Sequence, residues 1–229
     1  MVRLMSTLTR RNVLGLGAGL CCATALSACG QSRVSRVSSL RPGSGPVRID
    51  DSVVRMYAAI PDEPYPVPAV NLRRLDPAYY RAEVRDPTGE RPGTLVVDTG
   101  ARYLYLVGED GTAMRYGIGI GRDGFAWSGR GVIGRKATWP TWTPPEPMIA
   151  REPELAKWAN GMPPGPNNPL GARALYIYRN GRDTLYRLHG NPDESSIGRA
   201  VSSGCVRLLQ QDVIDLYRRV PVGTPVIVR

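Results

Sequence analysis

His189 and Cys205 are the two residues best suited to chemistry here. The chain holds one histidine, and of its four cysteines (Cys21, Cys22, Cys29 and Cys205) only Cys205 lies outside the N-terminal segment. A thiol becomes a good nucleophile at neutral pH when a base takes its proton or an imidazolium stabilises the thiolate, so Cys with His is a minimal kit for acyl transfer. Gly204, just before the thiol, lets a substrate approach the backbone, and the amides of Gly204 and Cys205 are candidates to face a developing oxyanion. Taken singly, a lone Cys is most often a small buried hydrophobe and a lone His a satisfied structural residue. Context favours chemistry, because Ser202-Ser203-Gly204-Cys205 is polar and turn-like and runs into an amphipathic stretch. The thiol is therefore expected where a loop meets a helix.

Short β-prone runs must position this pair. Thr94–Asp98, Tyr103–Val107 and Met114–Ile118, separated by Gly- and Asp-containing turns, predict a meander. Leu175–Tyr178 and Thr184–Leu188 flank Asn180-Gly181, the pair that supplies the positive φ angles of a tight hairpin, and His189 falls at the end of the second strand. After the thiol, Leu208, Leu209, Val213, Ile214, Leu216, Tyr217 and Val220 follow helical spacing, with Gln211, Asp212, Asp215, Arg218 and Arg219 opposite. A helix dipole would favour the thiolate if that helix began within a turn of Cys205, and would contribute little if it began near Gln210. Val226–Val228 predicts a last strand. Trp139–Gly171 is rich in Pro and Trp, with a helical candidate at Glu152–Asn160, and a loop of this length predicts a lid or binding wall. Gly119, Gly121 and Gly124 lack the context of a phosphate-binding motif and are read as loop glycines. The fold class is mainly β, a sandwich or mixed sheet with one amphipathic helix after the nucleophile and a long Pro/Trp-rich lid.

His189-Gly190 followed by Ser202-Ser203-Gly204-Cys205-Val206-Arg207 resembles the signature of the L,D-transpeptidase (YkuD-type) catalytic domain. The resemblance extends through Gly93–Asp98, Trp139–Pro145, Asn168-Pro169-Leu170-Gly171 and Val222–Ile227, and so covers residues 93–229. It implies an L,D-transpeptidase-like fold in which Cys205 attacks a peptidoglycan stem tetrapeptide, forms a thioester and passes the acyl group to an amine of a second stem, with His189 as general base and acid. Arg207, Ser202 and Gly190 are the substrate-binding candidates; Arg207 suits a carboxylate, and Ser202 shapes the turn. Many members carry His two residues before the nucleophile, where this chain has Ser203, which leaves His189 as the one candidate base. Asp98 is expected to be a strand-end structural residue, with a backbone carbonyl orienting His189 instead.

Composition sets the surroundings. The chain has 229 residues, 42% apolar, with 26 Gly and 21 Pro, which suits one domain rich in turns. Thr9-Arg10-Arg11 before the apolar run Leu14–Ala28 is the layout of a twin-arginine export signal, and Leu26-Ser27-Ala28-Cys29 resembles a lipobox in which Cys29 is lipidated. The net charge of +10 becomes +7 without residues 1–29, favouring an anionic partner such as the cell wall or a membrane surface. No basic-aromatic repeat or zinc spacing is present, so nucleic acid, a metal and a cofactor are not expected. Residues 1–29 thus form a signal peptide, 30–52 a tether, 53–92 an N-terminal arm packing on the main domain and 93–229 the catalytic domain. The protein is expected in the periplasm or cell envelope, anchored through Cys29 if that residue is lipidated.

Rival readings differ in residue order or chemistry. Sortase-like enzymes place His and Arg farther from Cys, and papain-like wall peptidases place Cys before His. A carboxypeptidase or wall hydrolase would use water as the acceptor, and a non-catalytic wall-binding lipoprotein would leave Cys205 inert.

Overall fold

The computed structural model describes residues 49–121, 127–202 and 204–229. The export signal, Cys29, most of the expected tether, Gly124 and Ser203 lie outside them. In chain order the strands are β1 (Ala82–Arg85), β2 (Leu95–Asp98), β3 (Tyr103–Val107), β4 (Thr112–Gly117), β5 (Ile120–Gly121), β6 (Gly129–Thr138), β7 (Arg173–Arg179), β8 (Arg182–Asn191), β9 (Ala200–Ser202), β10 (Val206–Leu209) and β11 (Pro225–Val228). The α-helices are α1 (Asp51–Met56), α2 (Glu146–Arg151) and α3 (Gln210–Arg219).

Nine strands form one mixed sheet in the order β1-β4-β3-β2-β11-β6-β7-β8-β10, and β5 pairs with β9 in parallel. This is the mixed-sheet form of the expected mainly-β fold. The meander β2-β3-β4 is antiparallel as expected, while β11 joins β2 in parallel with β6 on its other side. Asn180 and Gly181 take φ of 52° and 75° at the β7-β8 turn, the left-handed pair that this hairpin requires. Alternation sorts the side chains. Leu95 and Val97 enter the main core with Leu104, Ile133, Leu175 and Leu188, whereas Val96 faces a smaller cluster with Tyr105 and Val107.

α3 closes the main core through Val213 and Leu216, with Val220 at its C-cap. Lys136 on β6 donates to the carbonyls of Tyr217 (2.6 Å) and Val220 (2.5 Å), a cation at the helix C-terminus where carbonyls lack partners. The predicted polar face of α3 is corrected by the structure: Gln211 and Asp212 are buried. Residues of the N-terminal segment cover them. Gln211 Nε2 donates to Ala58 (3.1 Å) and Pro68 (2.9 Å) carbonyls, and the Tyr57 hydroxyl donates to Asp212 (3.3 Å). Tyr57, Leu75, Ile197 and Leu209 form a core of their own. Asp51 and Ser52, placed in the tether by composition, open α1, whose cap is the Asp50 carboxylate accepting from the Ser52 N–H.

Candidate active site

Strands β8 and β10 lie side by side in parallel, and their register sets Arg207 opposite His189. His189 sits in β8, two residues before its end, and Cys205 immediately precedes β10. The thiol therefore meets a strand, not a helix: Val206–Leu209 intervene before α3 begins at Gln210. The dipole of α3 starts five positions beyond Cys205 and contributes little to its charge.

Cys205, His189, Arg207 and Gly204 all line one cavity of about 1030 Å³. His189 is buried, and its Nδ1 lies 2.9 Å from the Gly190 carbonyl oxygen. With the proton on Nδ1 donated to that carbonyl, Nε2 keeps a lone pair. Burial drives the ring's pKa down to about 4, against the Gly190 and Pro169 carbonyls, which favour the protonated ring, while Arg207 and Arg187 add to the lowering. The ring is neutral at neutral pH instead of titrating near it. Asp98 is far from this role, accepting from the Ala101 N–H (2.8 Å) at the end of β2.

The Cys205 thiol points at the Leu185 carbonyl, 3.7 Å away. Burial raises its pKa, and hydrogen bonds and charge from Arg187, with charge from Arg207, oppose that rise. Arg207 is itself held below the ordinary guanidinium range by burial, with Asp193 and Cys205 acting the other way. Tyr186 lines the cavity too, its phenol pushed up to about 12 by burial and by Cys205.

Gly190, a substrate-binding candidate, packs beneath α3: a Cβ there would collide with the Gln210 side chain and lie 3.1 Å from Val213. Gly119 and Gly121, read as loop glycines, brace the segment that carries Cys205. Gly119 exchanges two backbone hydrogen bonds with Arg207 (2.9 and 2.8 Å), and a Cβ on Gly121 would lie 2.6 Å from Gly204 Cα. Gly204 takes φ of 139°, a conformation that favours glycine. Ser202 pairs with Gly121 in the β5-β9 ladder.

The Pro/Trp-rich segment forms a wall of the cavity through Thr141–Met148, Glu152 and Leu155. Its helix is α2, Glu146–Arg151, and the expected helical stretch from Glu152 is a 3-10 turn, Pro153–Trp158. Trp142 and Met162 exchange backbone hydrogen bonds (3.0 and 2.7 Å) across its base. Buried Asn168 ties that base down, its Nδ2 donating to the carbonyls of Pro140, Met162 and Pro163 and its Oδ1 accepting from Leu170 N–H. Trp139 departs from the lid reading. It turns away from the cavity, packs on Val67 and Tyr65 and donates to Glu63 (2.9 Å).

The mainly-β sheet thus brings a buried His on β8 and a Cys just before the neighbouring β10 to one cavity. Residues 92–228 match the YkuD L,D-transpeptidase catalytic domain, and the chain belongs to that family. Among similar proteins, "Probable L,D-transpeptidase YbiS" of Escherichia coli (strain K12) is 37% identical over 149 residues, 61% of this chain and 45% of its own length. "Probable L,D-transpeptidase ErfK/SrfK" of the same strain is 38% identical over 146 residues, 61% of this chain and 44% of its own. The chain spans less than half the length of these curated relatives. A solved L,D-transpeptidase from Mycobacterium smegmatis aligns with 59% of this chain and 58% of its own at 18% identity, with a TM-score of 0.42.

Proposed function

We propose that this protein is a peptidoglycan L,D-transpeptidase with Cys205 as nucleophile and His189 as general base and acid. The observation that carries the reading is the convergence of Cys205, His189 and Arg207 on one cavity, in a chain of this family. The thiol is a neutral acid and the imidazole a neutral base before substrate binds, so the proton moves during attack. Cys205 Sγ–H passes its proton to the free His189 nitrogen as sulfur adds to the amide carbon between the third and fourth stem residues. The carbonyl oxygen becomes an oxyanion facing the Gly204 and Cys205 amides. The C–N bond breaks, His189 protonates the departing D-alanine amine, and a thioester remains. An acceptor amine adds to the thioester, His189 takes its proton, and the thiol is restored as the cross-link forms. The apo thiol's contact with Leu185 accords with catalytic hydrogen bonds that align only in the loaded site.

Residues 93–229 serve as the catalytic domain, and 53–92 as its covering arm. The wall from Thr141 to Leu155 supports an amine acceptor over water, because it walls in the cavity above the acyl-enzyme. Cys205→Ala is expected to abolish acyl transfer from purified tetrapeptide in a folded protein, read by mass spectrometry of products. Tripeptide alone from the unaltered enzyme, with no cross-linked dimer at high acceptor concentration, would make it a carboxypeptidase or hydrolase; turnover by the Cys205→Ala protein would remove the mechanism altogether. An inert Cys205 would leave the binding-lipoprotein reading.

Export through residues 1–29 places the protein at the cell envelope, anchored by lipidated Cys29. Cys29→Ser is expected to move the mature protein from the membrane fraction to the soluble one. Equal partitioning of both forms would mean simple cleavage after Ala28.

A further inference from the structure

We propose that Arg187 stabilises the charged sulfur of Cys205, its guanidinium held beside that atom by a bulge in β8. The inference rests on Cys205 being the nucleophile and adds a residue to its machinery. Between the pairs Tyr176↔Arg187 and Tyr178↔Asp183, Thr184, Leu185 and Tyr186 of β8 stand against Ile177 alone on β7. The bulge is held by its own side chains: Asp183 Oδ1 accepts from Leu185 N–H (2.8 Å), and Thr184 Oγ1 donates to Ile177 O (2.7 Å) and accepts from Tyr186 N–H (3.2 Å). At its tip Leu185 takes φ of 62° and is 61% exposed beside the cavity, a backbone strain that persists only where neighbours impose it. That twist gives one carbonyl two donors. Leu185 O accepts from Cys205 Sγ (3.7 Å) and from Arg187 Nη1 (2.8 Å), which places the guanidinium beside the thiol. Strand bulges beside active sites commonly re-aim a side chain in this way.

The guanidinium is also fixed from other sides. Arg187 Nη2 is 3.4 Å from Asp183 Oδ2, and its carbon lies 4.9 Å from the Tyr176 ring centre, a ring that also carries Arg135 at 3.9 Å. The charged and titratable groups around the thiol come from several elements: Asp183, Tyr186, Arg187 and His189 on β8, Arg207 on β10, and Asp193 beyond β8. Arg135 on β6 and Tyr176 on β7 flank Arg187, and the wall adds Glu146, Arg151 and Glu152. His189 is neutral, so the cations available to a thiolate are arginines. Of these Arg187 shares the Leu185 carbonyl with the thiol, while Arg207 lies on the neighbouring strand opposite His189.

The test needs no stem peptide, so its result is independent of the substrate assigned above. Full-length protein is alkylated with iodoacetamide across a pH series, and the rate is followed on the Cys205 peptide by mass spectrometry. The thiolate displaces iodide and forms a thioether, its proton having gone to buffer. Arg187→Gln is expected to raise the alkylation midpoint by about one pH unit and to slow alkylation about tenfold below it. Arg187→Lys, which keeps the charge but not the forked donors, is expected to recover part of the shift. Asp183→Asn removes the acid that neutralises Arg187 while keeping an acceptor for Leu185 N–H, and is expected to lower the midpoint. Thermal unfolding of each variant separates misfolding from a change at sulfur. Should Arg187→Gln fail to fold, the Lys and Asp183→Asn shifts decide. A profile that superimposes on the unaltered protein in the folded variants would overturn the proposal.

Discussion

His189 is poised as an acceptor by burial more than by any partner, since two carbonyls that favour a charged ring are outweighed by its removal from water. The acid limb of kcat/KM is therefore expected near pH 4, far below that of a solvated imidazole, with activity sustained through neutrality until the thiol itself ionises. A limb between pH 6 and 7 would mean that the working ring is hydrated. His189→Gln keeps a hydrogen-bonding group but no proton transfer, and should reduce turnover by about 10²–10⁴-fold. The two principal candidates were legible because His189 is the one histidine and Cys205 the one cysteine beyond the N-terminal segment. Arg187 was legible in principle, since a residue two before His189 on a strand shares its face. What hid its place beside the thiol was the bulge, which depends on Asp183 and Thr184 side chains meeting the backbone and leaves no trace in periodicity. Gly119 and Gly121 were hidden for another reason. A close approach between segments some 85 residues apart is a property of the packed chain, not of the loop that carries the glycine.

At the scale of elements, α3 shows how far periodicity carries and where it stops. Its spacing announces a helix with one apolar stripe, and that stripe does fill the sheet core. Its first turn is polar and nonetheless buried, because residues from the N-terminal segment supply the partners that water would otherwise provide. Asp212 is the extreme case, fully buried, with its carboxyl pKa raised by burial to about 7 despite Arg81 at 3.7 Å and the Tyr57 hydroxyl. The folded state then holds a proton that the unfolded chain has released, so stability is greatest below about pH 4 on this account and falls as pH rises toward 7. Asp212→Asn keeps an acceptor for Tyr57 and does not titrate. Its stability relative to the unaltered protein should improve from pH 4 to 7, by up to about 1.4 kcal/mol per pH unit, measured by urea denaturation across that range. A constant difference would mean that the carboxylate is ionised when folded and paired with Arg81. The hairpin β7-β8 and the meander were similarly legible from Asn-Gly and alternation, whereas α2 was not: Pro145 and Pro147 suggested an irregular segment, yet proline at the first turn is compatible with a helix.

For the molecule as a whole, the N-terminal segment is structural material for the domain that follows it. Tyr57, Val67 and Leu75 are buried, and they cover α3, Ile197, Leu209 and Trp139. Polar bonds fix the same interface. Glu63 accepts from Arg173 and from Trp139, both in or beside the segment that builds the cavity, while Arg81 lies 3.1 Å from Asp215 on α3. Burying a large apolar side chain contributes roughly 1.5–3 kcal/mol, so these three contribute roughly 5–9 kcal/mol before ordering costs are subtracted. Total stabilities of single domains are about 5–15 kcal/mol, so the cover is a large share of the whole. A chain beginning at Ala82 would uncover Leu209, Ile214, Gln211 and Asp212 together and leave Glu63's partners Arg173 and Trp139 unpaired beside the cavity wall. It is expected to lose cooperative unfolding, while a chain beginning at Arg48 keeps the transition of the full-length protein. Tyr57→Ala in the full chain should cost about 3–5 kcal/mol and Tyr57→Phe, which removes only the hydroxyl shared by Asp212 and the Arg81 N–H, about 1–3 kcal/mol. Urea titrations of the four proteins would decide it: a cooperative transition of undiminished midpoint in the chain beginning at Ala82 would make the arm an appendage, and would return Asp212 to water with an ordinary carboxylate titration.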